Sequence, residues 1–171
     1  MESTLDPADI APMFKSGMRK FASGVTLITS TYEGRRAGLV ATAVNSVSME
    51  PPTLLICVNQ AASAFEIIES SGCFCVNVLT VASLELAGQF SSSQRRNERF
   101  QSGRWTELRT GAPVLDDAMA SFDCEIVHRI PYSTHTIFLG EVRAVQVPDA
   151  SRLPLVYMDR AFRNIAGLTP A

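Results

Sequence analysis

The residues best equipped for chemistry in this chain lie in one stretch, Gly38-Leu39-Val40-Ala41-Thr42-Ala43-Val44-Asn45-Ser46-Val47-Ser48-Met49-Glu50-Pro51-Pro52. Hydroxyl and amide side chains recur there among small residues, where a buried strand would show bulky alternation. Small side chains leave the main chain open. A flat aromatic ligand can then lie against backbone N–H and C=O groups while Thr42, Asn45, Ser46 and Ser48 donate to a polyol or a phosphate. An edge strand with its polar face in water has the same composition, and the residues alone leave both readings open. Other chemistry is scarce. His128 and His135 lie on either side of Pro131, off any common helical face, which argues against a two-histidine metal site. No G-x-G-x-x-G, phosphate-loop lysine, H-E-x-x-H or G-x-S-x-G pattern occurs. Between residues 91 and 104, Arg95, Arg96, Arg99 and Arg104 are opposed by Glu98 alone, a local basic segment in a slightly acidic chain. Guanidinium groups bind phosphate bidentately, so this segment is either an anion contact or a solvated loop.

The elements that must position these residues follow from pattern and punctuation. A chain of 171 residues with 46% hydrophobic and 19% charged content predicts one globular domain spanning 1–171, its core at about 14–165. With 15 basic and 17 acidic residues there is no overall positive field to hold nucleic acid or an anionic membrane. No apolar run approaches the roughly 20 residues of a spanning helix. The acidic start, Met1 to Pro7, lacks the basic and apolar regions of a signal peptide, so a soluble cytoplasmic protein is expected. Cys57, Cys73, Cys75 and Cys124 form no C-x-x-C pair and read as small buried hydrophobes.

Phe14, Met18 and Phe21, with Pro12 at a first turn, predict a short amphipathic helix lying across the core. Val25 to Tyr32 and Ala37 to Met49 predict a hairpin broken at Glu33-Gly34-Arg35-Arg36, and Glu50-Pro51-Pro52 stops its second strand. Further strands are expected at Thr53 to Asn59, Cys73 to Leu79, Ala120 to His128, Thr136 to Val147 and Leu155 to Met158. Helices are expected near Ser63 to Glu69 and Ala82 to Phe90. Unequal strands without regular βαβ alternation predict a mainly β fold, a mostly antiparallel β-barrel with short peripheral helices.

Several segments agree in order with one family. Phe21-Ala22-Ser23-Gly24-Val25-Thr26-Leu27-Ile28-Thr29, the stretch Gly38 to Pro52, Phe74-Cys75-Val76-Asn77-Val78-Leu79, Arg99-Phe100, Gly111-Ala112-Pro113-Val114-Leu115, Ser133 through Val142 and Pro154-Leu155-Val156-Tyr157 resemble motifs of the short-chain flavin reductases. These have an FMN-binding split barrel and serve as reductase components of two-component flavin monooxygenases. The chain departs from the family pattern at Val40, where threonine is common, at Ser133-Thr134, which replace Gly-Asp, and at Phe162, where tyrosine is frequent.

The resemblance implies an antiparallel split β-barrel and an NAD(P)H:flavin oxidoreductase, in which hydride passes from NADH or NADPH to FMN or FAD. The protein's part is to stack the two rings and stabilise developing negative charge. Carried over by position, Val40, Ala41, Thr42 and Ala43 would line the ring, and Asn45, Ser46, Val47 and Ser48 would hold ribityl and phosphate. Val58 and Asn59 would flank them. Ser63 and Phe65 would open the next helix, Gln89 and Phe90 would close the later one, and Arg99 would contact phosphate. His135 would wall the nicotinamide pocket as the one catalytic candidate. A homodimer with sites at the interface, and a monooxygenase partner receiving reduced flavin, are likewise implied. A flavin-binding module without turnover and an oxidase of the pyridoxamine-phosphate type are the alternatives.

Overall fold

A computed structural model describes residues 7–148 and 152–165. In chain order it contains α1 (Pro7–Met18), β1 (Ser23–Gly24), β2 (Thr26–Tyr32), β3 (Arg35–Ala41), β4 (Val44–Met49), β5 (Pro52–Asn59), α2 (Phe65–Ser71) and β6 (Cys73–Val78). A 3-10 turn (Val81–Ser83) leads into α3 (Leu84–Ser91). Then follow β7 (Trp105–Glu107), β8 (Pro113–Leu115), β9 (Ala120–Tyr132), β10 (His135–Gln146), β11 (Leu155–Met158) and β12 (Ala161–Asn164). No helix among the described residues is long and apolar enough to cross a membrane.

Seven strands form one antiparallel sheet in the order β3-β2-β6-β9-β10-β5-β4. Its two edge strands, β3 and β4, are consecutive in the chain and are joined by Thr42 and Ala43 alone. Three peptide steps reach at most about 11 Å, so the sheet has to curl until its edges nearly meet. No ladder joins β3 to β4, and the barrel is therefore split at this seam. The expected antiparallel split barrel is the observed architecture. The strand expected over Ala37 to Met49 is two strands, because the chain crosses the seam at Thr42-Ala43.

Side chains alternate between two cores. Ile28, Ile56, Val58, Phe74, Val76 and Phe138 fill the barrel. Leu27, Leu79, Leu86, Ala87, Phe90 and Leu115 pack outside it, under α3. Strands β2 and β6 are thus covered on both faces, and the polar residues buried in them, Thr26, Thr29, Ser30 and Asn77, are all hydrogen-bonded to backbone carbonyls. Barrel closure leaves no room at Gly140, where a Cβ would lie 2.6 Å from Phe74 Cε1 and 2.8 Å from Cys124 Cβ. The β2–β3 hairpin turns at Glu33 and Gly34, with φ of 48° and 74°, matching a two-residue turn with both centres left-handed.

One expectation fails. Helix α1 begins earlier than predicted, Pro12 lies inside it, and its apolar stripe does not cross the core. Phe14 is 65% exposed, Met18 48% and Phe21 63%. The strands already fill the barrel, so α1 lies outside, tied by Asp159 N–H donating to Arg19 O at 3.0 Å and bordered by Tyr157.

Candidate active site

The seam determines which candidates meet. Cys57 N–H donates to Ala43 O at 3.1 Å, continuing the β4–β5 ladder, and Asn59 stands opposite His135 in the β5–β10 ladder. The Thr42-Ala43 link, the end of β5 and the start of β10 therefore share one mouth of the barrel. Thr42 and Ala43 are exposed, with their backbone free of bulky cover. Val40 packs on the outer core, and Ala41 faces the barrel core. Val40, Ala41 and Thr42 form the floor of a cleft of about 240 Å³ walled by Ser91, Tyr157 and Phe162. Tyr157 and Phe162 meet edge to face at 5.5 Å.

At the same mouth, His135 Nδ1 and Thr134 Oγ1 lie 2.9 Å apart, which fixes the ring and leaves Nε2 the nitrogen able to meet a ligand. Thr134 stands at the position where the family pattern has Asp, and its hydroxyl bonds the His135 ring there. Asn59 Oδ1 accepts from Ala61 N–H at 2.8 Å, so that amide oxygen is already engaged. Val58 is buried in the barrel and supports the mouth from below.

Residues Asn45 to Ser48 lie apart from this group. They run away along β4, pairing Asn45 with Leu55 and Ser48 with Thr53, so Ser48 is about 20 Å of strand from Thr42 at roughly 3.3 Å per residue. Asn45, Ser46 and Val47 are exposed there. Ser48 Oγ donates to Glu50 O at 3.1 Å and accepts from Glu50 N–H at 3.0 Å, so its hydroxyl serves the turn.

The basic segment resolves into distinct parts. Arg95 pairs with Glu98 at 2.8 Å, and Arg104 pairs with Asp117 at 3.0 Å, both at the surface. Arg99 is instead buried, and no carboxylate pairs with it among the described residues. Its Nη1 donates to Gly38 O and to Ser63 Oγ, each at 3.1 Å, and its Nη2 donates to Ser92 O at 3.0 Å. The buried Nε has no hydrogen-bond partner among the described residues. Burial, reinforced by the nearby Arg96 charge, pulls the Arg99 pKa below its ordinary value. This cation joins the back of β3, the approach to α2 and the end of α3 through neutral acceptors only. A buried charge without a counter-ion is costly, and a bound anion would relieve that cost.

Gln89, Phe90 and Phe65 sit behind the mouth. Phe90 packs on Phe100 and Trp105 and closes against Gly38, where a Cβ would come within 2.7 Å of Phe90 Cε1. Gln89 faces a separate cavity and donates from Nε2 to Ser102 Oγ at 3.1 Å. Phe65 stacks on Phe138 at 5.9 Å. The family resemblance implied ligand contacts for these three, whereas the packing of α2 and α3 against the sheet turns Phe65 and Phe90 inward. The sequence reading gave no role to Gly38, Ser92 or Thr134. Gly38, within the small-residue run, and Thr134, at the family's Asp position, carried a visible signal.

Residues 18–166 match the family model described as a flavin reductase like domain. The chain belongs to that family. It is 42% identical over 164 residues to an FMN reductase (NADH) RutF 1 of Methylorubrum extorquens, covering 96% of this chain and 81% of that one. Among solved structures it is similar to nitrilotriacetate monooxygenase component B from Mycobacterium thermoresistibile, with TM-score 0.87, 28% identity, and 97% and 93% of the two chains covered. The Streptomyces globisporus NADH:FAD oxidoreductase SgcE6, in complex with NAD and FAD fragments, gives TM-score 0.85 and 28% identity over 97% and 98%.

A flavin reductase has to accommodate a planar ring and an anionic tail. The exposed Thr42-Ala43 backbone suits the first, and the uncompensated Arg99 with its orphaned Nε suits the second, so these residues fit the cofactor.

Proposed function

We propose that this protein is an NADH-dependent flavin reductase that reduces FMN and passes it to a separate monooxygenase. The observation that carries the reading is the open backbone at Thr42-Ala43 sharing the barrel mouth with the oriented imidazole of His135, supported by Arg99 behind β3, buried and without a carboxylate partner among the described residues. The bound flavin supplies the hydride-accepting ring, so the protein needs no general base. Ala41, Thr42 and Ala43 present main-chain groups to the ring edge. Arg99 holds the phosphate side and lends positive charge beneath β3. Asn45, Ser46 and Val47, exposed farther along β4, hold the outer part of the ligand. His135, tethered through Nδ1, offers Nε2 to the nicotinamide carboxamide and sets its approach. Tyr157 and Phe162 exclude water from one wall.

The protein acts in the cytoplasm as a homodimer. Ile10, Met13 and Phe14 on α1 and Val47 and Met49 on β4 supply apolar area for that contact, each 49% exposed or more. The test is anaerobic mixing of protein with FMN or FAD and with NADH or NADPH, followed at the flavin band. Bleaching is expected to be fastest with FMN and NADH. Rates no higher than in protein-free mixtures, for every pairing, would leave a flavin-binding module without turnover.

A further inference from the structure

Beside α3, sharing no lining residue with the seam cleft, lies a cavity of about 590 Å³. Leu86 and Leu115 form its apolar floor, and Thr80, Ser83, Gln89 and Ser102 bring hydroxyl and amide groups to its walls. The size and the mixture of an apolar floor with a few polar groups are those of a small-molecule site. Gln89 is 4% exposed, and its Oε1 is buried without a hydrogen-bond partner among the described residues. A buried amide oxygen left unpaired is costly, and this one belongs to a residue that lines the cavity, so an occupant whose N–H or O–H draws the amide toward it relieves that cost.

Charge at the rim narrows the occupant. Arg152 lines the cavity but is engaged, donating to Ala118 O at 3.0 Å and lying 3.7 Å from Asp117. Asp117 is also held by Arg104, which is itself shared with Asp116 at 3.8 Å, so two guanidinium groups stand against Asp116, Asp117 and Glu85. Glu85, at the start of α3, is exposed and has no ion pair among the described residues. The surplus charge at the mouth is therefore negative, which disfavours phosphates and carboxylates and separates this cavity chemically from the Arg99 region.

We propose that this cavity is an effector site for an uncharged or cationic ring compound bearing N–H groups, coupled to the seam through α3. The coupling route is short. Gln89 faces the cavity, its neighbour Phe90 presses on Gly38 behind β3, and the carbonyl of Ser92, one residue past α3, accepts from Arg99. An occupant that shifts α3 shifts both supports of the mouth. The coupling, though not the binding, rests on the flavin reading.

Trp105, the one tryptophan of the chain, supplies a built-in reporter. Its indole N–H donates to the carbonyl of Ser102, a cavity residue, at 2.8 Å. Benzamide, benzamidine and benzoate are titrated at millimolar concentration into the full-length protein without flavin, and the single indole resonance is followed by 1H–15N NMR. Benzamide and benzamidine are expected to move it saturably and benzoate is not. Ala82→Phe, which places a ring on the exposed rim, is expected to abolish the shift, and Glu85→Lys to weaken benzamidine relative to benzoate. No saturable shift with benzamide or benzamidine, or shifts unchanged in both variants, would overturn the site. In a second arm, saturating benzamide is expected to change the FMN dissociation constant at least threefold, with FMN changing benzamide affinity by the same factor. Benzamide binding with FMN affinity unmoved would overturn the effector role while leaving the flavin reading intact.

Discussion

Replacing Arg99 by methionine keeps the length of the stem and removes the charge. In the structure this deletes three hydrogen bonds, to Gly38 O, Ser63 Oγ and Ser92 O, and also a buried cation that no acid among the described residues compensates. Lost charged hydrogen bonds destabilise the fold and relief of the buried charge stabilises it, each by several kcal/mol, so the two effects offset in the unliganded protein. No such offset operates on an anionic ligand. A guanidinium contact to phosphate contributes about 1.5–3 kcal/mol, which predicts a rise in FMN dissociation constant of roughly 10- to 150-fold. Riboflavin, which has the same ring and ribityl chain but no phosphate, is predicted to lose less than about threefold. Quenching of flavin fluorescence on binding measures both ligands on the same proteins, with circular dichroism as the check on folding. Equal losses for FMN and riboflavin in a folded variant would refute the assignment, as would no loss for either.

The other predictions concern single groups. His135→Ala is expected to leave FMN affinity near wild type and to lower kcat/KM several-fold, the effect of about 1 kcal/mol from one neutral hydrogen bond; steady-state kinetics showing a drop above about a hundredfold would indicate proton transfer instead. Ser133 holds a φ of 51°, so Ser133→Gly is expected to raise stability by up to about 1 kcal/mol in urea denaturation. Asp123 is fully buried and accepts from Arg109 N–H at 2.7 Å, Thr110 N–H at 2.8 Å and the Thr110 hydroxyl, so Asp123→Ala is expected to cost about 3 kcal/mol or more on the same assay. Burial and the nearby Asp123 charge push the Cys124 thiol up to about 12, and burial first, then Asp123, raises Cys75 as well. The folded state thus keeps protons that the unfolded chain releases near pH 8.5, so folding stability is expected to fall as pH rises from about 8.5 toward 12, and Cys124→Ala to flatten that slope.

The fold was legible where pattern and punctuation agreed. The β-branched run from Val25, the break after Tyr32 and the proline stop after Met49 each fell at or beside a strand boundary, although β3 begins at Arg35 rather than at the expected Ala37. Helix α1 misled because an apolar stripe at helical spacing does not say which surface will cover it, and here the barrel interior is already full. The seam was visible only as a run of small residues, since two residues of link carry no periodicity. Within the site, the order of motifs indicated Thr42, Ala43, Asn59 and His135, which the barrel brings to one mouth. The sequence could not separate Arg99 from Arg95 and Arg104, because what distinguishes it is the absence of an acid in three dimensions. Gln89 and Phe90 share a helix end with the site but face inward, a distinction set by how α3 rotates on the sheet.

The central claim, that the Thr42-Ala43 seam holds a flavin that NADH reduces, is tested most directly by anaerobic bleaching of FMN with NADH in wild type and Ala43→Leu together. Ala43 is exposed, so the added side chain can leave the fold intact while obstructing the ring. The wild type is predicted to bleach FMN well above the protein-free rate and the folded variant to fall at least tenfold below it. A wild-type rate equal to that of the protein-free mixture, or a variant as fast as wild type, would contradict the account.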